Sequence, residues 1–528
     1  MSLFCTNYDI VIVGGGISGL FIAYKLCETN LNILLIEKSS SLGGRIHTIY
    51  NKKDDIQYEC GAARFNENHH KLLSLIHEFK LESKMYTLSK ELTKVTREYK
   101  TKYRLNLNYL LDVLKKSYKR YPRSYLQNIN LYQLLVDIFD NETAEFIKDS
   151  FGYDSEFIHL NADAALIMFE HDLFSNNDYY ILKGGLSEII FKMEQFLKNK
   201  SNITILKNNT LKKIFNDKIE TSIDTYYYKR LILAIPQFNL KQLDEFKDFK
   251  LLDSVKPIHL LRIYATYPVD KDGPWFKDIK RTTTNNYLRH IIPVDYKKGL
   301  IMISYTDSLP ADMLANMYQN SKKSLEEAIH KEIKTIFKIT PPDMINMYVH
   351  SWDNEYTGVH MWKPGEDILN LYEKILQPDL NKEIYICGEA YSKKQCWIEG
   401  ALQTSYDVIK RLHLEDIFIE ISNPDDDIVI TEEINDPKIH IDKVLQNKTW
   451  IAIEFGSIVK VYDIKDWISD HPGGNIILEG IKANIYYKDG NGKSPIEMIR
   501  NIGEYHYKSV KRNLLNNKNI KYLGLLDY

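Results

Sequence analysis

Apolar and polar residues follow different periods along this chain, and the switches between them mark its elements. YDIVIVG, residues 8–14, is a nearly unbroken apolar run, the pattern of a buried strand. GGGISG then reads as a tight turn, LFIAYKLCET has helical periodicity, and LNILLIEK is a second buried strand. Strand, turn, helix and strand in that order predict an α/β unit at the N-terminus. Residues 66–150 read as helical and rich in Lys and Tyr, with LNYLLDVLKKSYKRY the clearest stretch. The basic run from Lys100 to Arg123 is read as the solvated face of amphipathic helices, with an interaction patch as the alternative. Strand-like segments return at NITILKN, RLILAIP, HLLRIYATY and LIMISY, and IYICGEA precedes a helix from about Gly400 to Leu412.

The pattern changes again after Leu414. EDIFIEISNPDDDIVITEEINDPK is acidic, carries two prolines and lacks helical periodicity, so residues 416–440 read as a linker. Residues 441–528 form a short compact unit that opens as strand, turn, strand and short helix.

Composition narrows the class. The chain has 528 residues, and at about 100–200 residues per domain that length allows about three domains. Apolar content of 44% and charged content of 27% are ordinary for a globular protein and exclude disorder as the main state. With 69 Lys and Arg against 71 Asp and Glu, the net charge of −2 argues against a dedicated nucleic-acid binder. No apolar run approaches the length of a membrane span, and the N-terminus lacks the pattern of a secretory signal. Cys5, Cys27, Cys60, Cys387 and Cys396 form no CxxC and no disulfide framework. A cytosol-like compartment is expected. The abundance of Ile, Lys, Asn and Tyr, all with AT-rich codons, points to an AT-rich genome such as that of a large DNA virus or a protist. In the viral case the expected location is the host cytoplasm or the virion.

The first turn carries the chemistry. Gly14, Gly16 and Gly19 form GxGxxG between a strand and a helix, and Glu37 lies 18 residues beyond Gly19 at the end of the second strand. Gly14 permits the turn, Gly16 lets a pyrophosphate approach the backbone, and Gly19 lets helix and strand pack closely. The helix N-terminus offers unpaired N–H groups to phosphate, and the Glu37 carboxylate can accept hydrogen bonds from ribose hydroxyls. With both strands and the acidic residue in place, this is a dinucleotide-binding turn. Gly15, Ser18 and Lys38 belong to the same candidate set.

The residues that follow distinguish FAD from NAD. SLGGRIHT places Gly43, Gly44 and Arg45 just after Glu37. CGAARF supplies Gly61, Ala62 and Arg64, and YYILKGGLSEI supplies Gly184 and Gly185. Late in the chain, YICGEA holds Gly388 and Glu389, and WIEGALQTS holds Trp397, Gly400, Ala401 and Leu402. Together these motifs resemble the flavin-containing amine oxidase superfamily over residues 8–412. The resemblance implies a Rossmann-like FAD-binding domain from about 1–65, 185–235 and 380–415, interleaved with an α+β substrate part from about 66–184 and 236–379. It implies Arg45 near the FAD phosphates, the Gly61–Arg64 segment along the flavin ring, and Glu389 near the ribitol and pyrophosphate. It also implies a helix opening at Gly400 with its positive end toward the flavin.

SWDNEYTGVHMWKPG resembles the family segment beside the flavin, where some members carry a cysteine that links to FAD. Val359 holds that position here, so FAD is expected to be non-covalent, and Cys396 is read as a buried structural thiol. Many amine oxidases flank the substrate with two aromatic side chains, and the matching residues are His360 and Trp397. His360 is either a base or hydrogen-bond donor at the site, or a core histidine. Arg262 stands where the family often has a lysine that holds water near the flavin. It cannot act as a base. It orients water, binds an acidic substrate group, or makes a structural ion pair.

The C-terminal unit resembles the cytochrome b5-like heme-binding domain. Trp450, Tyr462, Asp463, Trp467 and His471-Pro472-Gly473-Gly474 carry the match. The resemblance implies His471 and His506 as axial ligands of a non-covalent b-type heme, there being no CxxCH, with a surface role for His506 as the alternative. A six-coordinate heme serves one-electron transfer. The chain ends at LGLLDY without the membrane anchor of microsomal members, and a soluble protein is expected.

The expectation is therefore an FAD-dependent amine oxidase or dehydrogenase acting on a small amine, with electrons passed to the fused heme, to a one-electron acceptor protein or to O₂. One alternative is a desaturase, porphyrinogen oxidase or isomerase on a non-amine substrate. The other is a cofactor-bearing electron-transfer or structural protein without turnover.

Overall fold

The computed structural model describes residues 7–88, 92–94, 96–172, 178–354 and 357–412. It also gives the backbone of four strands within 438–527. The chain divides into two compact units, Met1–Ile419 and Glu420–Tyr528.

Two large sheets organise the first unit, alongside smaller two- and three-stranded ones. Strand β1 (Asn7–Val13) lies between strand β2 (Ile33–Ile36) and the strand Thr225–Leu233, parallel to both. β2 pairs on its far side with Ile203–Leu206, and Thr225–Leu233 pairs with Ile384–Ile386, again in parallel. An antiparallel pair, Leu211–Ile214 and Lys218–Thr221, extends the outer side of Thr225–Leu233. Ile10 to Val13 and Ile33 to Ile36 are buried without alternation, as strands covered on both faces must be. Helix α1 (Ile17–Leu26) follows β1 and packs on the sheet. Seven strands thus come from three separated stretches of sequence.

The second sheet runs in the order Asn346–Trp352, Leu260–Thr266, Leu300–Asp307, His290–Asp295, Thr282–Thr284 and Leu92–Lys94. Here the period is two. Leu261, Ile263 and Ala265 are fully buried in a core shared with Leu314, Leu325 and Ile329 from the helices Ser308–Asn320 and Lys322–Phe337. Arg262 and Tyr264 therefore face the other way, toward the interior cavity.

Between residues 66 and 172 the chain is mostly helical, but it also contains the short strands Met85–Thr87 and Leu92–Lys94. The helix Leu107–Ser117 buries Leu110, Leu111 and Leu114, and Asn106 caps it by accepting the Tyr109 amide at 3.0 Å. Lys115 and Lys116 are exposed on its last turn.

In the second unit, Trp450–Phe455 and Ile458–Asp463 form an antiparallel hairpin. Lys521–Asp527 pairs antiparallel with the second of these strands and parallel with Lys438–His440. The segment read from sequence as a linker to residue 440 thus ends in an edge strand of this sheet. His471, the HPGG run and His506 lie outside the described residues. Among the described residues no helix is long and apolar enough to cross a membrane.

Candidate active site

The glycines of the first turn divide into two kinds. A Cβ on Gly14 would lie 2.3 Å from the Ala234 carbonyl oxygen, and its φ of +110° is one that L side chains avoid. A Cβ on Gly19 would lie 2.1 Å from the Gly14 oxygen, so this glycine sets the close packing of α1 on β1. Gly16 and Gly388 differ: a Cβ on either would meet nothing within 4 Å, and both line a cavity of about 1760 Å³. The space beside Gly16 is therefore the open side of a cradle. α1 begins there with no side-chain cap and no acidic residue in its first turn, which leaves its N-terminal amides and positive end to a ligand. The cavity is larger than the roughly 300–1,000 Å³ of a small-molecule pocket, as one holding a dinucleotide beside a substrate needs to be.

Glu37 follows β2 at the cavity wall. Its carboxylate accepts the Gly15 amide at 2.7 Å and the Ser39 amide at 2.8 Å. These bonds fix the carboxylate and leave lone pairs on both oxygens for ribose hydroxyls. The residues present fit FAD: open glycine backbone, an uncapped helix end, a fixed carboxylate and the Arg45 cation in one cavity.

Arg45 leads to the second part of the site. Its guanidinium donates to Glu389 at 2.6 Å and to the Gly358 carbonyl at 3.2 Å. Glu389 also accepts the His360 amide at 3.1 Å, the His360 ring Nδ1 at 3.0 Å and the Cys396 amide at 3.0 Å. Burial opposes ionisation of Glu389, but Arg45 and His360 outweigh it and hold the carboxyl well below the usual carboxylate range. Burial pushes the His360 imidazole below its ordinary value, with Glu389 pulling in the opposite sense.

His360 does not stand beside the substrate. It lies in the strand Val359–Trp362, where Val359 and Met361 line the cavity and His360, fully buried, points to the opposite face. The parity of the strand fixes this, so the sequence expectation of a flanking ring is corrected: His360 supports Glu389 from behind. Its Nε2 has no partner among the described residues. Val359, which stands where some members of the family carry a cysteine, does line the cavity.

Trp397 lines the cavity as the N-cap of the helix Ile398–Arg411. That helix opens two residues before Gly400, which instead allows close packing: a Cβ there would lie 2.0 Å from the Lys394 oxygen. Ala401 lines the cavity, and its carbonyl accepts the Ser18 hydroxyl at 3.4 Å. Leu402 is a core residue, and neither it nor Gly400, Gly15 or Gly19 lines the cavity. Lys38, Gly44, Gly61 and Ala62 do. Arg64 lies 5.9 Å from the Trp397 ring, 5.3 Å from Tyr179 and 5.9 Å from Tyr153, within an aromatic surround. Sequence reasoning missed the two tyrosines. Tyr179 sits in the quoted YYILKGG motif, but Tyr153 comes from a loop with no motif of its own.

Arg262 is 5% exposed and lines the cavity, donating to the Glu59 carbonyl at 2.9 Å. Cys396, with its backbone at φ +70°, also lines the cavity, and burial raises its thiol well above the ordinary value.

A parallel sheet with a glycine-rich turn, closed by a late segment that carries an ionised carboxylate, defines an FAD-dependent oxidoreductase. The model of the flavin containing amine oxidoreductase family matches residues 17–408, and the chain belongs to that family. It is 22% identical over 498 residues to the uncharacterized protein R188 of Acanthamoeba polyphaga mimivirus, covering 78% of this chain and 94% of that one. An L-amino-acid oxidase of Demansia vestigiata matches at 24% over 186 residues, 34% of this chain and 31% of the relative. The flavin-containing amine oxidase A of Equus caballus matches at 38% over 77 residues, 14% of each. Matches to these characterised oxidases thus span a third of their length or less. Among solved structures, a putrescine oxidase variant superposes with a TM-score of 0.61 at 16% identity, over 77% of this chain and all of that one. A putative protoporphyrinogen oxidase from Exiguobacterium superposes at 0.58 and 17%, over 79% of this chain and all of that one. These two likenesses concern the fold.

Proposed function

We propose that the protein oxidises a small amine at the carbon bearing nitrogen. The observation that carries this reading is the continuity of one cavity from the Gly16 cradle to the aromatic wall at Trp397 and Tyr153. Bound FAD supplies the acceptor for the substrate hydride. Gly16, Gly388, Glu37 and Arg45 hold it, and Glu389 fixes Arg45. Trp397 and Tyr153 exclude water from the reacting carbon and orient the neutral amine. A hydride leaves carbon and a proton leaves nitrogen, and the imine that remains is hydrolysed by water to a carbonyl compound and ammonia or a smaller amine. We further propose that His471 and His506 of the C-terminal unit would hold a b-type heme, which would supply one-electron transfer, O₂ being the other acceptor. The strand hairpin 450–463 supports this assignment, because the heme-domain signature opens on two such strands.

A second reading, desaturation or isomerisation of a non-amine substrate, is favoured by one observation: arginine rather than lysine at position 262.

The test is an anaerobic visible-spectrum titration of purified protein with a panel of amines. Flavin bleaching by an amine, with heme reduction in its wake, supports the full proposal. Bleaching without heme reduction removes the relay. Flavin-loaded protein that no amine bleaches overturns amine oxidation and brings the second reading forward.

A further inference from the structure

Three side chains outside the flavin cavity meet on the opposite face of the second sheet. In the strand Asn346–Trp352, Met347 and Val349 pack with Leu261 and Ile263 under the helices Ser308–Asn320 and Lys322–Phe337, while Trp352 lines the cavity. Alternation puts Ser351 on the helix side, exposed and opposite Leu261 of the neighbouring strand. His259 comes just ahead of that strand. Its ring Nε2 lies 2.7 Å from the Ser351 hydroxyl oxygen, and its Nδ1 lies 2.7 Å from a carboxylate oxygen of Asp312 on the helix Ser308–Asn320. Serine, histidine and carboxylate thus form one hydrogen-bonded line.

Each link in that line has a direction. A carboxylate only accepts, so Nδ1 carries the ring proton and Nε2 keeps its lone pair for the Ser351 O–H. A hydroxyl bonded to the base nitrogen of a ring that a carboxylate orients is the arrangement of an activated nucleophile. The His259 side chain is only 10% exposed, so the ring is held in place while Ser351 stays open to a substrate. The helix is already tied to this corner by the Ser308 amide, which donates to the His259 carbonyl at 3.0 Å, so the side-chain line is not needed for that purpose. Asn346–Trp352 is also the edge of its sheet: among the described residues no strand pairs with its outer side. Amides on such an edge are open donors, the kind that stabilise the oxygen charge developed in acyl transfer.

We propose that Ser351, His259 and Asp312 form a second site that hydrolyses small esters of good leaving alcohols, such as phenols. It is independent of the flavin and of the amine reading. Ser351 Oγ bonds the ester carbonyl carbon while His259 Nε2 takes its proton. The bond to the phenol oxygen breaks, and the phenol leaves with that proton. Water then attacks acyl-Ser351 in the same way, releasing the acid and restoring the serine. Asp312 is the positioning residue.

The test treats the flavin-loaded full chain with a fluorophosphonate, which the serine attacks at phosphorus with loss of fluoride, and locates the adduct by peptide mass spectrometry. Release of phenol from phenyl acetate, read by chromatography, reports turnover. The adduct is expected on Ser351, and phenol release is expected to vanish in Ser351→Ala. His259→Gln should slow adduct formation at least about hundredfold, as loss of a general base does. Asp312→Asn should slow it about tenfold or more without changing the melting temperature, and Asp312→Glu should recover part of the rate. Asp312 is 57% exposed, so its variants keep the test alive if His259→Gln does not fold. No adduct on Ser351, adduct formation as fast in the His259 or Asp312 variants as in wild type, adduct formation without phenol release, or phenol release that persists in Ser351→Ala overturns the proposal.

Discussion

The Glu389 carboxylate holds the His360 ring by its Nδ1 at 3.0 Å. The same oxygen receives Arg45 at 2.6 Å, so a neutral imidazole on one side and a guanidinium on the other share one acceptor. Since Glu389 is ionised, His360 donates from Nδ1 and keeps its lone pair on Nε2. The motif that looked like half of a substrate sandwich is instead a brace behind the cofactor site.

Replacing Glu389 by Gln should leave Arg45 without its counter-charge and Nδ1 with a weaker acceptor. Glu389 is buried but Arg45 is only half-buried, so losing the pair costs about 2 kcal/mol. The expected outcome is a lower melting temperature and a lower flavin-to-protein ratio after gel filtration, both read from the visible and ultraviolet spectra. A variant with full flavin content and unchanged melting would remove Glu389 from this role.

Stability should fall as the solution is acidified from pH 7 to pH 5. Burial lowers His159, His330, His350 and His360 from their ordinary value of 6.5, His350 to about 4. Below 6.5 the unfolded chain takes up protons that the folded chain refuses, so the contribution present above that pH is lost as pH falls. Glu389, lowered from 4.5, adds a loss of the same sign as pH falls below that value. Differential scanning fluorimetry at intervals across this range checks the slope, and His360→Gln should make it shallower. A melting temperature that rises on acidification would contradict the assignment.

Gly16→Ala and Gly19→Ala should part company. The first meets open space, so the apoprotein should melt as wild type does while FAD binds at least about tenfold more weakly. The second drives a methyl into the Gly14 carbonyl and should cost about 2 kcal/mol or more of fold stability. Melting curves of both apoproteins, paired with FAD titrations, separate the two roles.

Trp397→Ala should remove one ring from the Arg64 surround and open the cavity wall. The amine concentration that half-reduces the flavin is expected to rise about tenfold, within what a cation–π contact and its buried area contribute. Trp397→Phe should recover most of the loss.

Acid precipitation should release all flavin into the supernatant, because Val359 offers no sulfur to the cofactor. Flavin retained in the pellet would point to another attachment.

The parts of the site legible in the sequence are those built from neighbours in the chain. β1, the turn, α1 and Glu37 lie within forty residues of the N-terminus, and the glycines announce the turn because few other residues can make it. The second sheet was legible as strands, but its pairing was not, since strand order depends on contacts far apart in sequence. His360 shows where motif resemblance and local geometry diverge: the motif carries no record that 359 and 361 share a face which 360 cannot. Tyr153 approaches Arg64 only through the tertiary fold. Arg262 was legible as an anomaly, but its seat against the Glu59 carbonyl and the Tyr305 ring was not.

The sheet that bears the nucleotide turn is not whole until Ile384–Ile386 has joined Thr225–Leu233, and Glu389 comes later still. A nascent chain therefore displays its phosphate-binding turn long before it can retain a cofactor. Until Thr225–Leu233 is made, β1 presents an unpaired edge, the condition in which strands mispair or aggregate. Flavin capture is therefore expected late in the biogenesis of this protein, and a chain shortened ahead of the Ile398–Arg411 helix should emerge colourless and prone to aggregate.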